Sequence, residues 1–124
     1  MLSATCHCGA LRIEIPYRPQ EVTSCNCSIC RRLGTLWAYY DIEAVRVHGH
    51  PEHTDTYIQG ARTLRVVRCK TCGCTTHWEP LEPASHSMMG VNIRNFDPEA
   101  IGNARIRMLD GADTWQSSFR EGPI

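Results

Sequence analysis

Residues 24–34, SCNCSICRRLG, set Cys25, Cys27 and Cys30 within six positions, with Arg31 and Arg32 directly behind them. Thiols at this spacing suit a metal ion. A C-x-C-x-x-C loop can wrap one cation from three directions and leave a fourth position for water, a substrate thiolate or a ligand from elsewhere. Two further clusters stand apart from it, Cys6-His7-Cys8-Gly9 and Cys69-Lys70-Thr71-Cys72-Gly73-Cys74. The second of these has the form of a zinc knuckle, in which backbone N–H groups point at the sulfurs and glycine permits the turn that follows. In an extended chain positions i and i+2 project to the same side, so Cys6 and Cys8 can join Cys69 and Cys72 in a closed four-thiolate site. Such a site has no room for substrate; structural zinc of this kind contributes on the order of 10 kcal/mol to folding. Zinc is the expected occupant and iron the other candidate. By count Cys74 is spare. If it reaches the Cys25 loop, both sites are closed; if it does not, the second site is open to chemistry.

The rest of the composition narrows the field. Eight cysteines as disulfides would allow about 105 pairings, but the N-terminus MLSATCHCGALRIEIPY lacks a basic start and an apolar stretch, so no export signal is expected. In a reducing compartment clustered cysteines bind metal or do chemistry. Thirteen basic and thirteen acidic residues cancel without runs of like charge, which argues against nucleic acid and anionic lipid as partners. No window approaches the ~20 apolar residues of a membrane span. A cytoplasmic protein without a membrane segment is the expectation.

The elements that must position these thiols read as strands. Leu11, Ile13 and Ile15 alternate up to Pro16, and the period-two pattern continues through Thr35–Tyr40, Val45 and Val47, and residues 55–58, 63–67, 87–93 and 104–109. Turn signals separate them, among them His48-Gly49, Gln59-Gly60, Gly102-Asn103 and Asp110-Gly111. No dozen residues carry a helical stripe; Asp97-Pro98-Glu99-Ala100 can open one short turn with Asp97 as cap. The expectation is a mainly β chain of several small antiparallel sheets with little helix, one domain over residues 1–124, and an extended surface tail from about residue 110.

CHCGA near the N-terminus, CNCSICRRLG after it, then CKTCGCTTHW and GVNIRNFD, taken in that order from Cys6 to Asp97, resemble the glutathione-dependent formaldehyde-activating enzyme family, also called the GFA or centromere-protein-V family. The resemblance implies an Mss4-like fold of coiled antiparallel sheets around zinc. It also implies a structural zinc on Cys6, Cys8, Cys69 and Cys72, and a second, more labile zinc on Cys25, Cys27 and Cys30, near which glutathione would bind. Cys74 is not required by that pattern, and DGADTW in the tail is not a motif tied to activity.

The implied reaction joins the glutathione thiol to formaldehyde as S-hydroxymethylglutathione, a carbon–sulfur lyase-type chemistry with Cys25, Cys27 and Cys30 at its centre. Zinc would deprotonate the thiol and polarise the oxygen. Arg31 and Arg32 are candidates for binding the two glutathione carboxylates, against the plainer reading of solvated loop residues. Among the histidines, His7 should point away from its flanking cysteines. His77 is a candidate pocket or proton-shuttle residue against the commoner half-buried structural role, and His48, His50 and His53 read as a solvated loop. Trp37, Trp78, Trp115, Tyr39 and Tyr40 read as core, and Asn92 as either a loop-holding amide or a substrate contact. The rival to an enzyme is a zinc-stabilised binding module without catalysis, since fold alone does not separate the two. A third reading is thiol exchange by Cys25, Cys27 and Cys30 when metal is absent.

Overall fold

The computed structural model describes residues 1–83 and 87–121. Among them the chain forms eleven strands and two short α-helices. Strands β1 (Leu2–Thr5), β2 (Arg12–Ile15) and β5 (Arg46–His48) make a three-stranded antiparallel sheet in the order β1-β2-β5. The other strands are β3 (Glu21–Cys25), β4 (Trp37–Asp41), β6 (Thr54–Ile58), β7 (Leu64–Cys69), β8 (Thr75–Pro80), β9 (Met88–Asn92), β10 (Arg105–Leu109) and β11 (Ser117–Arg120). They form one sheet in the order β11-β10-β3-β4-β9-β8-β7-β6.

The alternation read from the sequence places the core. Leu11, Ile13 and Ile15 are fully buried. Ile13 and Ile15 pack with Val22, Ala38, Tyr40, Met89, Val91 and Ile106 in one apolar cluster drawn from both sheets. A second, small cluster consists of Cys6, Leu11 and Cys69. The two sheets thus meet over a common core, and the four-thiol cluster has its own small apolar cluster around Leu11.

Three features depart from the sequence expectations. The sheets number two, one of them large, and β10 runs parallel to β3, with Cys25 opposite Leu109. Nothing local fixes the direction of a pairing between segments so far apart in the chain, so alternation alone could not reveal it. The second feature is a helix, α1 (Ser28–Leu33), begun by the Cys27 side chain accepting from the Cys30 N–H and ended by Gly34 at φ 68°. At six residues it is too short to display a stripe. Helix α2 (Pro98–Ile101), by contrast, starts as expected, with Asp97 capping the Glu99 N–H and Pro98 in the first turn. The third is the tail, whose residues 117–120 form β11 and pair antiparallel with β10, Leu109 opposite Ser117 and Ile106 opposite Arg120. It is exposed along its length but is part of the sheet; Gly122, Pro123 and Ile124 lie outside the described residues. None of the described helices is long and apolar enough to cross a membrane.

Candidate metal centres

The Cys6, Cys8, Cys69 and Cys72 sulfurs come together within 4.8 Å of one another. The first pair lies on the tight loop between β1 and β2, closed by Gly9 N–H to Cys6 O at 3.1 Å. In the second pair Cys69 ends β7 and Cys72 lies on the knuckle that follows, where Gly73, at φ 77°, donates its N–H to Cys69 O at 3.0 Å. Sulfurs around a tetrahedral zinc with Zn–S of about 2.3 Å stand about 3.8 Å apart, and the Cys6–Cys8 and Cys8–Cys69 separations are 3.7 and 3.6 Å. Backbone N–H groups of Leu11 and Thr71 point at the sulfurs of Cys6 and Cys69, each at 3.4 Å. Burial opposes ionisation of Cys72, yet the N–H groups of Cys74 and Cys8 and the adjacent thiols bring it down to about 5. Four sulfurs, N–H donors and an easily formed thiolate fit a closed zinc site.

Cys74 belongs beside this cluster. It packs against Cys6, Leu11 and Cys69, and its thiol neighbours Cys72. The metal-ligating group formed by Cys25, Cys27 and Cys30 contains no fourth cysteine.

Those three sulfurs also lie within 4.8 Å of one another. Strand β3 delivers Cys25 at its end, Cys27 is the cap of α1, and Cys30 lies in its first turn, so a strand end and a helix start aim all three thiols at one point. Each sulfur receives an N–H group: Cys27 N–H to Cys25 at 3.5 Å, Cys30 N–H to Cys27 at 3.5 Å, and the indole Nε1–H of buried Trp37 to Cys30 at 3.3 Å. Burial, followed by the neighbouring thiols, pushes Cys30 up to about 12, and burial also raises Cys25. Burial works against Cys27 as well, but the Cys30 N–H and the two adjacent thiols lower it. Crowded thiols favour one charge among them; a cation at their centre reverses that preference and holds all three as thiolates. The donor set fits a three-thiolate zinc.

The tail is part of this site. Asn26, between the first two cysteines, donates to Asp110 Oδ1 at 3.0 Å and accepts from the Ala112 N–H at 3.0 Å, while its own N–H reaches Leu109 O at 3.2 Å. Gly111 is thereby laid against the thiols: a Cβ at that position would stand 2.6 Å from Cys25 Sγ and 3.4 Å from Cys27 Cβ. Trp115, at φ 60° and 67% exposed, lies next to the same glycine. Asn26, Trp37, Asp110 and Gly111 were not legible as site residues. The DGADTW segment held the one available signal, an Asp-Gly that reads as a turn but is required here for space.

Arg31 and Arg32 occupy the last turn of α1 and are exposed; Arg32 donates to the Ser28 carbonyl at 2.8 Å. Asn92 is buried and committed to structure: its carbonyl oxygen accepts from Leu36 and Arg94 N–H groups, each at 3.3 Å, and its amide donates to Thr75 O at 2.9 Å. His7 is exposed. The histidine loop is not uniformly solvated, because His48 pairs with Glu14 and half-buried His50 contacts Thr54 and Glu79. His77 is buried beside Glu79 and lines a cavity, and burial lowers its affinity for a proton. Trp37 and Tyr40 are core, as expected, whereas Trp115 and Tyr39 are exposed at the surface. Tyr39 alternates outward from β4 and Trp115 sits on the 110–116 loop, which explains both departures.

Comparisons with known proteins agree with this arrangement. The family model described as glutathione-dependent formaldehyde-activating enzyme matches residues 1–110. A Halomonas elongata protein provisionally named a glutathione-dependent formaldehyde-activating enzyme is 38% identical over a stretch covering 46% of this chain, which spans 40% of that relative's length. The crystal structure of a Rhodobacter sphaeroides protein superposes with a TM-score of 0.68 at 31% identity, covering 83% of this chain and 97% of that one. With a family match over residues 1–110, most of its length, and two cysteine clusters whose geometry could hold metal, the chain belongs to the glutathione-dependent formaldehyde-activating enzyme family.

Proposed function

We propose that the chain is a zinc-dependent enzyme of the carbon–sulfur lyase type that adds the thiol of glutathione, or of a similar small thiol, to an aldehyde such as formaldehyde. The observation that carries this reading is the three-thiol cluster of Cys25, Cys27 and Cys30, which lacks a fourth cysteine because Cys74 is held at the other cluster. Three protein ligands leave one position for a substrate. Bound there, zinc would hold a substrate sulfur as thiolate and polarise an aldehyde oxygen.

The chain's own residues have definite tasks in such a reaction. Cys25, Cys27 and Cys30 hold the cation, and the N–H groups of Cys27, Cys30 and Trp37 spread the charge of the thiolates. Gly111 lets the tail loop close against Cys25. Arg31 and Arg32, exposed on the helix that carries Cys30, would bind the glutathione carboxylates and offset the negative charge of an all-thiolate centre. Overall, a carbon–sulfur bond forms, the carbonyl π bond breaks, and the thiol proton ends on the new hydroxyl. We place this chemistry in the cytoplasm, where glutathione is abundant and thiols stay reduced.

Exchange spectroscopy of glutathione and formaldehyde tests the proposal, because it reads the rate at which free and S-hydroxymethyl forms interconvert. The zinc-loaded protein should accelerate exchange, Cys27→Ser should abolish the acceleration, and the double change Arg31→Ala with Arg32→Ala should weaken glutathione binding about tenfold or more, the size expected for losing a charge-assisted carboxylate pair. No acceleration by fully loaded protein would favour a zinc-stabilised binding module.

A further inference from the structure

A third convergence of metal-ligating atoms shares no residue with either cysteine cluster. His77 and Glu79, two positions apart on β8, project to the same face, and His50 reaches them from the loop before β6. His77 Nε2 lies 2.6 Å and His50 Nε2 2.9 Å from the same oxygen, Glu79 Oε1, and the three ligand atoms fall within 4.8 Å of one another.

Hydrogen bonding on the far side of each ring supports the tautomer a metal needs. Thr54 Oγ1 lies 2.7 Å from His50 Nδ1 and 3.2 Å from Pro51 O; Thr76 Oγ1 lies 2.9 Å from His77 Nδ1 and 3.3 Å from Val67 O. A hydroxyl that donates to its carbonyl accepts from Nδ1–H, and in that tautomer both Nε2 lone pairs face the carboxylate and can bind a cation. With the hydrogens on Nε2 instead, the rings donate to Glu79 Oε1, and a cation among the three atoms takes the place of those hydrogens. The other Glu79 oxygen faces Arg65 Nε at 3.7 Å, opposite it across the β7–β8 ladder, which leaves Oε1 as the inward ligand.

From this geometry we propose that His50, His77 and Glu79 form a binding site for a divalent first-row transition ion, held by two imidazoles and one carboxylate. The threonine hydroxyls supply the outer hydrogen bonds that set ring orientation in such sites. Tetrahedral zinc at about 2.05 Å from each atom needs ligand separations of about 3.3 Å. The present contacts are shorter, and a withdrawal of Glu79 by about half an ångström, within reach of its rotatable side chain, provides the room. His50, His77 and Glu79 also line a cavity of about 230 Å³ whose other walls include Val45, Val47, Pro80 and Met89. Three protein ligands leave coordination positions open, and this apolar cavity is where a small oxygen-donor ligand of the ion would sit. Two imidazoles and a carboxylate without sulfur suit zinc or ferrous iron, whereas the all-thiol clusters are sulfur-only sites.

The test uses the full chain with both cysteine clusters loaded, titrated with Zn²⁺ and, separately, with Co²⁺ followed by absorbance. One further ion per chain should bind, and Co²⁺ at this site should show d–d bands without new thiolate-to-metal charge transfer. His50→Gln, at the partly exposed ligand, and Glu79→Gln should each weaken that ion by about tenfold or more while leaving the thiol-held zinc count unchanged. Nitrogen NMR of the imidazoles should show both Nε2 resonances moving on metal addition. Absence of an extra ion, an extra ion indifferent to both substitutions, or two imidazolium rings paired with Glu79 in metal-saturated protein would each overturn the proposal.

Discussion

Cys6, Cys8, Cys69 and Cys72 come from two loops, with Cys8 and Cys69 separated by 61 positions, whereas Cys25, Cys27 and Cys30 come from one strand end and the first turn of one helix. The first cluster packs around buried Leu11 and ties the loop between β1 and β2 to the β7–β8 knuckle. A metal there closes a long stretch of chain, so its binding energy is folding energy. The second cluster is preformed by local geometry and spans six residues, so a metal there would hold little chain together. With metal bound, the same side chain would therefore serve two ends, set by where the backbone puts it: stability where the thiols are distant in sequence, and, on the proposed function, an open coordination position where they are close.

The largest effect should come from breaking that contrast at its stable end. Cys69→Ser removes a ligand from the closed site, and with on the order of 10 kcal/mol of metal-linked folding energy at stake, the cooperative thermal transition should vanish. Cys27→Ser should behave differently. Serine is a good helix cap and can take over the Cys30 N–H, so the fold should persist while zinc content falls by one ion per chain. Melting curves with elemental zinc on the same samples check both; equal loss of structure in the two variants would erase the distinction.

A smaller effect should follow from Gly111→Ala. The new Cβ would meet Cys25 Sγ at 2.6 Å, too close for any contact, so the thiol or the tail loop must move. Overpacking of this kind costs about 1–3 kcal/mol, equivalent to about a five- to 150-fold range in affinity if the strain falls on the metal-bound geometry. Competition with a zinc chelator should show weaker binding at the three-thiol cluster and unchanged binding at the four-thiol cluster. Unchanged affinity at both would mean that the tail rests on the site without shaping it.

The sequence carried the parts of this contrast that depend on side-chain type and local period. Cysteine spacing separated the group of four thiols from the group of three, and alternation at Leu11, Ile13 and Ile15 located buried positions. What it lacked were contacts closed by distant backbone. Asp110 and Gly111 reach Cys25 because β10 runs parallel to β3, a pairing with no local signature. Trp37 looks like any core aromatic until its indole N–H is found on Cys30. His50 and His77 stand twenty-seven positions apart and carry no joint signal in the sequence, since the β7–β8 hairpin and the loop before β6 bring them to one carboxylate only in the folded chain. Helix α1 was hidden for a different reason: its six residues are capped by a cysteine, and the metal-ligating spacing masks the cap.

Cys74 gives the smallest expected effect and sharpens the contrast most. It lies against the four-thiol cluster, where its N–H helps lower Cys72 and its carbonyl accepts the Cys69 N–H at 3.0 Å. Both are made by the backbone and survive in serine, whose hydroxyl can also replace the Cys74 thiol as hydrogen-bond donor to Cys72. Cys74→Ser should therefore leave the thiol-held zinc at two ions per chain, with the melting temperature moved by a few degrees at most, the scale of about 1 kcal/mol in a domain of this size. Chelator competition at the three-thiol cluster should match the parent protein, since the Cys74 sulfur is no ligand there. Loss of one zinc on this substitution alone would mean that Cys74 swings across to close the second site on metal binding, and the open position on which thiol chemistry depends would be gone.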